Sequence, residues 1–154
     1  MNKNIRNFIL ESRGPISTYC NCFKRCSNLE VDHVVPVWYI KQELKGRKNL
    51  KKALFDPHNL YRCCRNINQK KSNFLLDVKY TGNEITGLMA RSYLYMNWKY
   101  DLYFDEKTLK DLQSMSNINP PFHFEFERSA KIATITGNKN LFIDYYPRAY
   151  HKHI

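Results

Sequence analysis

An α+β fold in a single domain is what this sequence predicts, and three observations carry the expectation. The stretch Leu29 to Val37, LEVDHVVPV, is β-branched and at first alternating, the pattern of a short strand. Apolar residues recur at helical spacing through most of the second half. The chain has 154 residues, 43% of them hydrophobic, enough for one domain with a real core and too short for two.

Taken in order, the strand over Leu29 to Val37 is expected to end near Pro36, which cannot donate to a ladder. Asp56-Pro57-His58-Asn59 is turn chemistry, and a short apolar segment begins at Leu60. Arg65 to Phe74 is polar, with Ile67 and Phe74 on one side, and reads as a short helix or an irregular loop. Thr81-Gly82-Asn83 is a turn. Gly87 to Tyr100 puts Leu88, Arg91, Tyr95 and Trp98 on one helical side with Ala90 and Leu94 beside them, so a mostly buried helix is expected. Asp105 can cap a helix in which Leu109, Leu112 and Met115 repeat, and Asn119-Pro120-Pro121 ends it. Phe122 to Thr136 is ambiguous at its start, because FHFEF alternates like a strand. Phe122, Phe126, Ala130 and Ala133 recur at helical spacing, however, with Pro121 near the first turn and Gly137 past the end, so helix is preferred. Residues 1–18 and 145–154 are expected to be peripheral or frayed.

Charge points to the partner. The formal net charge is +11, which calls for a polyanion, nucleic acid first and an anionic membrane surface second. Ten Lys and Arg lie between Lys41 and Lys71 against only Glu43 and Asp56. Within that stretch Lys48, Lys51, Lys52, Arg62, Arg65, Lys70 and Lys71 are the candidate nucleic-acid contacts, with a solvated face as the bland alternative. Membrane insertion is not expected, since no window approaches the ~20 apolar residues of a spanning helix. No apolar run of signal-peptide length opens the chain, so an intracellular protein is expected, or a secreted one if a leader has been removed.

The chemistry sits where the charge is. Asp32-His33, then His58-Asn59-Leu60, then Asn66, Asn68 and Asn73 bring a carboxylate, imidazoles and amides into basic surroundings. Those are the parts for cutting a phosphodiester. Hard divalent ions take oxygen ligands, and Mg²⁺ often needs only one or two from protein. A neutral imidazole can take a proton from an attacking water near neutral pH. Asp-His alone is weak evidence and is more often structural; the set is stronger.

Asp32-His33-Val34-Val35-Pro36, His58-Asn59-Leu60, Asn68 and Ser72-Asn73-Phe74 together resemble an HNH, or ββα-metal, nuclease. Further on, Gly87 to Met96, Glu125 to Ile132 (EFERSAKI) and Gly137-Asn138-Lys139-Asn140 narrow the resemblance to the endonuclease I family of non-specific nucleases, over about residues 29–143. The resemblance implies His33 as general base, Asp32 and Asn68 as ligands of one Mg²⁺ or Mn²⁺, and Arg47 on the scissile phosphate. It implies Asn59 as a loop-pinning residue and His58 as structural or a phosphate contact. Implied products carry a 5′-phosphate and a 3′-hydroxyl. Asp32 departs from the family, whose secreted members carry Glu there, and Thr136 and Leu141 stand where Gln and Pro are common. Asp32 and His33 also pose a geometric question, because neighbours on a regular strand face opposite sides.

The five cysteines, Cys20, Cys22, Cys26, Cys63 and Cys64, fall in two clusters, unlike a disulfide framework. Were the clusters neighbours, three or four thiolates could build a structural Zn²⁺ site. Cys-x-Cys and Cys-Cys are not the usual spacing, and reduced or buried thiols are the preferred reading; secreted family members use cysteines in disulfides. Tyr93, Tyr95, Trp98 and Tyr100 are expected to pack in the core rather than stack on bases. The leading function is thus a DNA endonuclease, with RNA as a second substrate and an inhibitor or regulator as a further partner. The rival is a non-catalytic nucleic-acid-binding protein on the same fold.

Overall fold

The computed structural model describes residues 1, 3–12, 26–71 and 85–146, and of residues 67, 70 and 71 only the backbone. Ser72-Asn73-Phe74, the turn at Thr81-Gly82-Asn83 and the tail from residue 147 lie outside the described residues. Among the described residues, helices and one two-stranded antiparallel sheet make an α+β architecture.

Strand β1 (Leu29–His33) pairs with β2 (Leu60–Cys64), Leu29 opposite Cys64 and His33 opposite Leu60. The strand expected to run to Pro36 stops at His33. Val34 and Val35 instead turn into the core, both fully buried, and Pro36 becomes the N-terminal boundary of helix α2 (Val37–Glu43). A fixed φ near −60° and the missing N–H suit proline to that place. Helix α3 (Leu50–Leu54) and a 3-10 turn (Pro57–Asn59) lead into β2, and α4 (Arg65–Lys71) follows it, a helix where the sequence left helix or loop open. Helix α1 (Lys3–Glu11), which the sequence pattern did not announce, buries Ile9 and packs on both strands.

Helix α5 (Ile85–Tyr100) starts two residues before the expected Gly87 and is buried on every side from Ile85 to Met96, as a central helix must be. Helix α6 (Glu106–Ile118) packs along it. The Asp105 carboxylate caps α6 by accepting the Thr108 amide at 2.8 Å. Gly87 is what allows the close approach: a Cβ there would lie 2.2 Å from the Asn119 carbonyl oxygen. Phe122 to Thr136 resolves as helix α7 (His123–Thr136), its first turn closed by the Phe122 amide donating to Glu125 Oε1 at 3.0 Å and its end by Gly137 at φ 75°. A last short helix, α8 (Leu141–Asp144), is capped by the Asn140 side chain. Beyond it, the Tyr146 hydroxyl donates to the Asn117 carbonyl at 3.1 Å. No helix among the described residues is long and apolar enough to cross a membrane.

One ionic contact locks the helical layer. The fully buried Arg91 guanidinium donates to Glu125 through Nε (2.9 Å) and Nη2 (2.7 Å), and through Nη1 to the Asn119 carbonyl (2.7 Å) and to Ser116. It thereby joins α5, α6 and α7. Removing one partner leaves a buried charge alone, which costs about 3–5 kcal/mol, whereas replacing both by apolar groups is far milder. Urea denaturation of Arg91→Met should show that loss, and R91M/E125L should recover a large part of it.

Candidate active site

The site is built at the end of β1. Helix α3 ends at Leu54, and the last carbonyls of a helix have no partner within it. The Leu54 oxygen lies 2.8 Å from Nε2 of the part-buried His33. A carbonyl only accepts, so Nε2 must carry the proton and Nδ1 is the basic nitrogen of the ring. The same α3 carries Lys51 and Lys52 into solvent, so the carbonyl that meets the general-base candidate and two cations share one short element.

Asp32 lies next to His33, opposite Tyr61 in the ladder, and is 4% exposed. His33 is the last residue of the strand, so the pair sits where the ladder ends and the chain turns towards α2. Asn68, on α4, is brought to the hairpin by Glu30: its Nδ2 donates to Glu30 Oε1 at 2.6 Å. Sequence reading passed over Glu30, although the alternation of LEVDH already puts it on the same strand face as Asp32. Arg65, one turn earlier on α4, has its Nε 3.9 Å from Glu30 Oε2.

Asn59 is fully buried and clasps β1's exit. Its Oδ1 accepts the Val35 amide at 2.7 Å, its Nδ2 donates to the Val35 carbonyl at 3.1 Å, and its own carbonyl accepts the Val34 amide at 2.9 Å. His58, 1% exposed, packs against the Tyr95 ring at a tilt of 53° and pairs through Nε2 with the Asn138 carbonyl at 3.2 Å. That burial leaves it a structural role and takes it out of reach of a phosphate. Burial lowers its pKa to about 4, against the opposing pull of Asp56.

Arg47 follows Gly46, which takes φ 75°, and its Nη1 lies 3.5 Å from Asp101 Oδ2 just after α5. Both side chains are largely exposed, so this pair contributes little. Lys48 is exposed beside it, and Arg65 is exposed on α4, whereas Arg62 is partly buried and burial lowers its pKa. Of Lys70 and Lys71 the structure describes only the backbone of α4. Tyr93, Tyr95 and Tyr100 are core residues, but Trp98 is 45% exposed, with Lys99 Nζ 5.8 Å from its ring centre.

The cysteines correct an expectation. Cys26 and Cys64 form a disulfide, with Cα atoms 6.0 Å apart, so this pair is not reduced and two of the thiols proposed for zinc are taken. Cys63 is a buried thiol, and Cys20 and Cys22 lie outside the described residues. The described residues hold no group of three or more His, Cys, Asp or Glu side chains suited to a metal.

No protein-family model matches the chain. It is similar to an extracellular deoxyribonuclease of Aeromonas hydrophila, 29% identical over 154 residues that cover 79% of this chain and 67% of that protein. A periplasmic deoxyribonuclease of the same organism is 29% identical over 153 residues, covering 78% of this chain and 65% of its own length. Endonuclease-1 of Buchnera aphidicola subsp. Acyrthosiphon pisum (strain APS) is 29% identical over 160 residues, covering 83% and 63%. The chain therefore spans about two-thirds of the length of these relatives. The similarity supports an enzyme, an endonuclease. It also overturns the expectation of an intracellular protein, since two of these relatives are named extracellular and periplasmic. The Cys26–Cys64 disulfide agrees with an oxidising compartment.

Two outcomes follow from this geometry. Unfolded His58 binds a proton near pH ~6.5 and the folded one only near about 4, so its contribution is complete above ~6.5 and is lost as pH falls towards 4. The loss amounts to about 3 kcal/mol. Comparing urea denaturation of His58→Gln with the parent chain at about pH 7.5 and 4.5 should show a flatter pH dependence in the variant. Separately, the bridge closes a loop across 38 residues, and reducing it should lower stability by about 2–4 kcal/mol, read as a fall in urea midpoint with dithiothreitol.

Proposed function

We propose that the chain is a secreted, metal-dependent endonuclease of the endonuclease I type, hydrolysing phosphodiester bonds of DNA, and of RNA, with little sequence specificity. In this reading β1, β2 and α4 form a ββα-metal core. The observation that carries it is the contact of His33 Nε2 with the Leu54 carbonyl, which sets the tautomer a general base needs. Similarity to proteins named deoxyribonuclease and endonuclease supports the substrate, and relatives named extracellular and periplasmic support secretion.

Asp32 and Asn68 would hold a Mg²⁺ or Mn²⁺ ion. Their donors fit a hard cation: both are oxygens, and Asn68, with its nitrogen engaged by Glu30, has Oδ1 left to offer. Bound there, the ion supplies charge stabilisation at the phosphate and at the departing 3′-oxygen.

His33 Nδ1 takes the proton of the attacking water, and the ring's new charge is shared with the Leu54 carbonyl and so with the C-terminal end of α3. Arg47 leaves its weak, exposed contact with Asp101 to fork onto the non-bridging oxygens. Lys48, Lys51, Lys52 and Arg65, all exposed, track the backbone of the bound strand, joined by Lys70 and Lys71 on α4. The products carry a 5′-phosphate and a 3′-hydroxyl. Nothing in this set reads base edges, which is why loose specificity follows. Secretion separates such an activity from the host's own DNA, and an inhibitor would guard it before export.

Plasmid nicking in Mg²⁺, Mn²⁺ and excess EDTA tests the proposal. His33→Ala should lose about 10²–10⁴-fold in cleavage rate while gel-shift affinity in EDTA stays within about threefold. Lys51→Ala should instead weaken binding and reduce the salt slope by about one. Parent protein that binds DNA tightly but cuts in no metal would be a binding protein on this fold, and H33A retaining most of the rate would remove the general base.

A further inference from the structure

We infer that Glu30 is a positioning residue for Asn68, fixing which end of that amide faces the metal; the inference rests on the reading of Asn68 as a ligand. An asparagine has two nearly isosteric ends, and only the oxygen can ligate a cation. Left alone, the amide can present either. A carboxylate only accepts, so the 2.6 Å contact with Glu30 Oε1 must be made by the Asn68 nitrogen, and Oδ1 is turned away from Glu30. A short bond to a charged acceptor is about twice as strong as a neutral one, which makes the wrong orientation costly.

Glu30 is itself held. Its second oxygen lies 3.9 Å from Arg65 Nε, so Arg65 and Asn68, three apart on one face of α4, share the one carboxylate. On β1, Glu30 is two residues before Asp32 and shares its face of the strand. One strand thus supplies a ligand, Asp32, and the group that orients the other ligand, Asn68. The Glu30 side chain is one-third exposed, at 33%, so the pair sits at the edge of the hairpin where hydrated cations can enter.

The test is a Mn²⁺ titration of the full chain without DNA, read by calorimetry, with melting temperature and cleavage alongside. Glu30→Ala should raise the Kd for Mn²⁺ about 10–100-fold, and saturating Mn²⁺ should restore most of the cleavage rate, because the reacting groups are untouched. Glu30→Gln, which can still accept from Asn68 but no longer forbids the reversed amide, should fall between Glu30→Ala and the parent. Unchanged Mn²⁺ affinity in E30A, with or without a lower melting temperature, would make the contact merely structural, provided Asn68→Ala weakens binding. Were Asn68→Ala also to bind Mn²⁺ as tightly as the parent, Asn68 would not be a ligand, and the metal reading would fall together with this one.

Discussion

The structure depends on a turn that is buried when turns are normally exposed. Asp56, Pro57, His58 and Asn59 lie inside the protein, and a buried turn is stable only if its backbone polar groups find partners. The Asp56 carboxylate accepts the His58 amide (2.9 Å) and the hydroxyls of Tyr95 (2.8 Å) and Tyr100 (2.7 Å). Ser92 donates to the His58 carbonyl, and Arg128 donates to the carbonyls of Pro57 and Leu60. Asn59 completes the set by clasping Val35. Helices α5 and α7 are, in this sense, the walls of one turn.

That turn explains why the rest is so heavily tied together. Arg128 is a buried cation whose partners are two carbonyls and the face of Tyr61, 4.1 Å from its guanidinium carbon. Such an arrangement tolerates no slippage of α7, and the Arg91–Glu125 contact is what holds α7 to α5 and α6. The apparent excess of polar residues in the core is therefore largely accounted for by two hydrogen-bonded groups, one around Asp56 and one around Arg91, although His58 Nδ1 and Arg128 Nε are buried without a hydrogen-bond partner among the described residues. Asp56 also keeps its two tyrosines in the protonated, donating form: burial and the neighbouring carboxylate both push the Tyr95 and Tyr100 pKa values up.

The proposed chemistry lies at the rim of this scaffold. His33 and Asn68 meet their partners at the edges of the hairpin, and the cations that would follow a nucleic-acid backbone project from α3, α4 and the loop after α2. The division suits an enzyme that handles an extended polyanion. In the proposed reading the reacting groups are fixed on β1 and α4, while the long Lys and Arg side chains would adapt to whatever sequence is bound.

Much was legible in the sequence because it is local. Alternation marked β1, capping chemistry marked α6 and α7, and Asp32-His33, His58-Asn59 and Asn68 stood at spacings that resemble a nuclease. The disulfide, the Leu54 carbonyl beneath His33 and the Glu30 contact were not legible, since each joins residues 21 to 38 positions apart. The early end of β1 belongs with them: Val34 and Val35 have every propensity for strand, and the Asn59 clasp together with Pro36 turns them into the core. Composition and charge by themselves pointed to a polyanionic partner, and motif order to Asp32, His33, Asn59 and Asn68 as candidate site residues. Only the tertiary structure decided which ring nitrogen is basic and which end of an amide is held. Those are properties of the group that sits across from a residue, and chain packing alone supplies that neighbour.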